Sequence, residues 1–113
     1  MKKVILLSAV LVGSFLNAVP VQANSMALRI CEYVQANDKS RLRSYLKQNR
    51  VKLRTIYTDM KCNSDNLLIF AAKSNALEVG EFIIGKLPAK KVKPEIENLA
   101  KYSAHLAEEA KER

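Results

Sequence analysis

Few side chains in this sequence have the types and spacing that covalent chemistry requires. His105 is the sole histidine. As a general base it would have to reach a serine or cysteine nucleophile. Ala104 and Leu106 flank it, and it reads as an exposed helix histidine. Cys31 and Cys62 are the only cysteines. They form no Cys-x-x-Cys exchange motif, and with one histidine they do not supply the four close ligands of a structural zinc site. Glu95, Glu97, Glu108, Glu109 and Glu112 read as charged helix faces rather than paired acid–base carboxylates. There is no glycine-rich phosphate loop. The inventory predicts no enzyme, no catalytic residue, no metal site and no cofactor.

The unusual feature is positive charge. From Lys39 to Arg54 there are seven Lys or Arg residues and no Asp or Glu. On a continuous helix, Lys39, Arg43, Lys47, Arg50 and Arg54 lie near one face. Such a stripe suits the phosphate groups of lipid or nucleic acid, although charge runs are more often simply solvated. Tyr45 lies within it and Tyr57 just beyond.

The compartment narrows the choice of partner. Lys2 and Lys3 precede an apolar run from Val4 to Val12, which continues weakly through Phe15 and Leu16. Val21-Gln22-Ala23 then offers small residues at a cleavage site. Residues 1–23 therefore read as a secretory signal peptide. Ser8, Gly13, Ser14 and Asn17 interrupt a stretch that would need about 20 apolar residues to span a bilayer. No second apolar stretch in the mature part is long enough to do so. Removing the two leader lysines leaves 17 basic and 11 acidic residues, a net charge of +6. Two cysteines in a small exported domain read as a Cys31–Cys62 disulfide. The location is then periplasmic or secreted. Nucleic acid is disfavoured there, and an acidic protein or an anionic envelope component fits better.

The elements that position these residues are helical. Ser25 caps a first helix, Met26 to Ala36, with Ala27, Ile30, Cys31 and Val34 on one side. Asn37-Asp38 makes a turn and a new cap. A second helix runs from Lys39 to about Gln48. From Asn49 to Lys61 the pattern is mixed. Val51, Leu53, Thr55 and Tyr57 alternate as in a strand, whereas Leu53, Ile56, Tyr57 and Met60 fit a helix, which is preferred. One long helix over 39–60 stays open, with a break at Asn49 favoured. Cys62-Asn63-Ser64-Asp65 is a turn and cap cluster. Helices follow from Asn66 to Lys73 and from Leu77 to Ile84, with Gly85 as C-cap. Gly80 permits close approach of a neighbouring helix. Phe70, Phe82 and Ile84 belong to the core or to an exposed groove, with the core favoured because small domains have few apolar residues to spare. Lys90, Lys91 and Lys93 mark 89–93 as a solvated linker. A single amphipathic helix then occupies 94–113, fraying from Glu108. The fold class is all-α: a helical core domain over 24–88 and about five helices in all.

Two resemblances bear on this outline. The run Leu67-Leu68-Ile69-Phe70-Ala71-Ala72-Lys73-Ser74-Asn75-Ala76-Leu77-Glu78-Val79 resembles an ankyrin repeat. Ile30 to Leu46 echoes it 38 residues upstream, and both lack the Thr-Pro-Leu-His opening. The likeness implies an ankyrin-like helical hairpin at 66–88 rather than a true array. From Leu28 to Pro88 the chain also resembles a family of short exported proteobacterial proteins, catalogued only as a domain of unknown function. Ile30-Cys31-Glu32, Asn37-Asp38-Lys39, Leu42-Arg43, Leu53-Arg54-Thr55-Ile56-Tyr57, Cys62-Asn63 and Phe70-Ala71 through Leu87-Pro88 carry it. That resemblance implies an envelope address and a helical fold, and no activity.

The expected function is a small, exported, non-enzymatic binding module. Its basic second helix would contact an acidic protein; the alternative is association with anionic lipid or lipopolysaccharide.

Overall fold

Three helices of this protein end in the same way. The first, α1 (Val21–Gln35), turns at Asn37. The second, α2 (Lys39–Gln48), turns at Arg50, and α4 (Leu67–Lys73) turns at Asn75. These three residues have φ of 57°, 55° and 56°. Each donates its N–H to the carbonyl three residues back, and the next residue donates five back: Asp38 to Tyr33, Val51 to Leu46, Ala76 to Ala71. This is the Schellman termination, with asparagine or arginine where glycine is commonest. It settles the length of the basic helix: α2 stops at Gln48, and residues 39–60 are not one helix.

The computed structural model describes residues 21–113. The expected leader, 1–23, lies outside them except for Val21-Gln22-Ala23, which fall within α1. Every regular element among the described residues is helical. After α2 comes the short α3 (Leu53–Ile56), then α4, α5 (Leu77–Lys86) and α6 (Ala89–Val92). A 3-10 turn, Lys93–Glu95, leads into α7 (Ile96–Tyr102) and α8 (Ala104–Lys111). The alternation around Val51–Tyr57 forms no strand. Leu53, Tyr57 and Met60 are buried by the short helix and the turn after it. No helix among the described residues is long and apolar enough to cross a membrane.

Helix α4 is the centre. Leu67, Leu68, Ile69, Phe70, Ala71 and Ala72 are all buried, so the helix is apolar on every side. It packs against α1, α5 and α7. Asn66 caps it, its Oδ1 accepting from Ile69 N–H at 2.8 Å. Helix α5 packs in turn against α2, α3 and α8. Its close contact with α8 runs through Gly80: a Cβ there would sit 2.5 Å from Leu106 Cδ1.

Cys31 and Cys62 stand at disulfide distance, with Cα atoms 5.8 Å apart. They join α1 to a tight turn. Cys62 and Asp65 exchange backbone hydrogen bonds of 2.8 and 2.9 Å around Asn63 and Ser64, which have φ of 52° and 71°. Two successive positive φ values suit Asn and Ser better than branched residues.

The C-terminal third departs from expectation. Residues 89–93 are not a solvated linker: α6 buries Val92 completely, and its lysines point around that one anchor. The single helix over 94–113 is two helices. Ser103 adopts φ −157° and ψ 103°, and its Oγ accepts from Leu106 N–H to start α8. The predicted fraying from Glu108 is replaced by docking. Ala110 is buried, and Arg113 donates to the carbonyls of Ile84 and Leu87 at 2.9 and 2.8 Å. That cation closes the C-terminal end of α5, where the helix dipole favours it. Gly85 is not the C-cap; α5 continues to Lys86 and Leu87 ends it in extended conformation.

Candidate functional site

The break after α2 builds a groove. Leu42 and Leu46 anchor α2 in the core, so Arg43 and Lys47 face outward. The turn at Arg50 then reverses the chain, and Leu53 anchors α3. Lys52 and Arg54 flank that anchor and line the same cleft as Arg43 and Lys47. Across from them, α5 contributes Phe82 and Lys86. The result is a cleft of about 660 Å³ between α2, the 49–54 segment and α5. This falls within the usual range for ligand sites, roughly 300–1,000 Å³.

Its lining divides cleanly. Arg43, Lys47, Lys52, Arg54 and Lys86 supply five cations. Leu46, Val51, Leu53 and Phe82 supply apolar surface, and Ser40 and Ser44 supply hydroxyls. Among the described residues, no carboxylate lines it. Lys86 Nζ lies 5.6 Å from the Phe82 ring centroid, a cation–π contact that joins the charged rim to the apolar floor. Five like charges around one concavity repel each other and raise a positive potential, which an anionic ligand relieves.

The sequence placed five residues on one basic face. The structure brings together three of them, Arg43, Lys47 and Arg54. Lys39 is exposed on the first turn of α2 and Arg50 is the left-handed residue of the turn, and neither lines the groove. Lys52 and Lys86 complete the set instead. Lys52 belonged to the basic run but was out of phase on a continuous helix. Lys86 and Phe82 come from a helix whose neighbourhood no local pattern reveals. Phe70 and Ile84 are buried as expected, whereas Phe82 is half-buried at the groove.

A second, smaller cleft of about 280 Å³ adjoins the first. Tyr33 and Tyr45 line it with Ser40, Arg41, Ser44 and Gln48. The two rings meet edge to face with centroids 5.7 Å apart, a favoured aromatic geometry that fixes α1 against α2.

His105 lies elsewhere. It is exposed on α8 and its Nε2 pairs with Glu81 on α5. That hydrogen bond, then the charges of Glu81 and Glu109, hold the imidazole pKa above its ordinary value. Lys73 is raised likewise by its hydrogen bond to Asp65, and its ammonium also sits over Tyr102. Tyr57 is pushed up mainly by burial, with Glu95 adding to it. Its hydroxyl has no hydrogen-bond partner among the described residues.

No curated protein and no solved structure matches this chain. Residues 30–93 match the family described as Protein of unknown function (DUF3718). The match spans more than half of the 113 residues and takes in every residue that lines the groove, from Ser40 to Lys86. The chain therefore belongs to this family of proteins of unknown function.

Proposed function

We propose that this protein is a small, exported, non-enzymatic binding module of the bacterial envelope. It captures an acidic protein partner in the groove between α2 and α5. The observation that carries the reading is the lining itself: five cations and no carboxylate around an apolar floor. Carboxylates on a partner would meet the rim, and an apolar side chain beside them would cover Val51 and Phe82. Export rests on the N-terminal pattern of the sequence, and the Cys31–Cys62 pair is in keeping with it. The ankyrin-like character of the 66–88 hairpin fits a protein-binding role, with α5 presenting its outer face.

Substituting Arg43, Lys47, Lys52, Arg54 and Lys86 by glutamine tests the reading. Capture of an acidic protein from a periplasmic extract should disappear, and in the unsubstituted protein it should weaken steeply with added salt. Capture that survives all five substitutions would remove the groove as the contact surface.

A second reading is favoured by the apolar floor. The same groove would seat a phosphorylated headgroup on its rim and an acyl chain on Val51 and Phe82, giving association with anionic lipid or lipopolysaccharide. Cosedimentation with anionic vesicles, lost in the five-fold variant, would support it over the protein partner.

A further inference from the structure

The contact between α5 and α8 sets up a second cluster on the other side of α5. Gly80 lets Leu106 press against the α5 backbone, and Ala107 and Ala110 continue that buried seam. Glu81 follows Gly80, and His105 precedes Leu106. The packing contact therefore fixes the positions of these two neighbours at the edge of the seam. Glu109 stands four residues beyond His105, one turn along the same face of α8. One imidazole nitrogen and one oxygen from each carboxylate all lie within 4.8 Å of one another.

We propose that Glu81, His105 and Glu109 form a binding site for a divalent transition-metal cation of the Zn²⁺ class. The donor set is mixed, one imidazole and two carboxylates, which suits zinc rather than magnesium or calcium. At ligand bonds of about 2.0–2.2 Å the ion takes the place of the proton between His105 and Glu81, so those two donors part slightly while the Glu109 carboxylate draws in. Glu81 and His105 are exposed and Glu109 is half-buried, so side-chain rotation is free to do this while the backbones stay held. The spacing of His105 and Glu109 places two ligands on one helix, and Glu81 closes the set from the next. Three protein ligands leave a fourth position for water or for a donor from a partner. Two carboxylates also make this spot negative on a chain of net charge +8, so a cation is drawn here and not to the groove.

The test is a Zn²⁺ titration of the untagged, disulfide-intact chain by calorimetry. In parallel, the ring resonances of His105 are followed by NMR; as the sole histidine, it is unambiguous. One Zn²⁺ should bind per chain with movement of those resonances, and Mg²⁺ should give neither. His105→Ala and Glu109→Gln should each weaken binding by about tenfold or more, on the scale of disturbed metal sites. An absence of heat with unmoved His105 resonances would overturn the site. So would Zn²⁺ binding that is unchanged in both variants.

Discussion

Asn37, in the turn between α1 and α2, caps a helix that begins 40 residues later. Its Oδ1 accepts from Val79 N–H at 3.0 Å. The residue at the N-cap of α5 is Ala76, which has no side-chain acceptor, and Asn37 takes its place through space. The same residue also tolerates φ 57° better than most. Asn37→Ala loses both roles and should destabilise the fold by about 1–2 kcal/mol. Asn37→Asp keeps the acceptor and should cost less. Urea midpoints for the two variants check this, and equal midpoints would detach the cap from stability.

Gly80→Ala forces a methyl group against the Leu106 side chain, which is completely buried and would have to shift. A cost of about 1–3 kcal/mol is expected for such overpacking. Leu106→Val should be less harmful in the Gly80→Ala background than alone. A double-mutant cycle measures that coupling; strict additivity would contradict the contact.

Tyr57→Phe removes a buried hydroxyl without a partner among the described residues and keeps the ring in the core. The variant should be as stable as the parent or more so, since an unsatisfied polar atom costs about 1–3 kcal/mol. A fall in thermal midpoint would mean that the hydroxyl is satisfied in solution.

Opening the Cys31–Cys62 bridge frees a loop with a sequence separation of 31. The chain-entropy model gives about 3–4 kcal/mol for a loop of this size. The paired Cys→Ser variant should lose that much in denaturant unfolding, with the helix content of its folded state unchanged.

In chelator-treated protein His105 should titrate above 6.5, because its proton is shared with Glu81. A folded value above the unfolded one means that the pair's contribution is complete below about 6.5, provided that Glu81 is ionised. It fades as pH rises through the folded value. Glu81→Gln should return the titration toward the ordinary value. An unmoved titration would assign the shift to another group.

The helix order was largely legible because the breaks carry their own chemistry. Asn37-Asp38, Asn49 and Ser74-Asn75 are residues that compete with helical backbone bonding, and each marks a real terminus. Ser103 was not legible: Ile96, Leu99, Ala100, Ser103, Leu106 and Ala107 keep helical spacing straight through it. Only its extended backbone and its bond to Leu106 reveal the restart. Lys90, Lys91 and Lys93 outweighed Val92 by number, although a single buried valine was enough to dock that turn. The groove was legible by half. Arg43, Lys47 and Arg54 were found as a charge run, while Lys86 and Phe82 required knowing that α5 packs on α2 and α3. The pairing of His105 with Glu81 spans 24 residues and has no local signature at all.

The bridge between Cys31 and Cys62 divides the groove in a topological sense. Arg43, Lys47, Lys52 and Arg54 lie inside the covalent ring that it closes; Phe82 and Lys86 lie on the open chain beyond. When the core melts, four of the five cations remain looped together with Leu46, Val51 and Leu53, and the fifth drifts away with Phe82. The oxidised, unfolded chain thus keeps four of the groove's cations within one closed loop, so their charge stays concentrated without the fold.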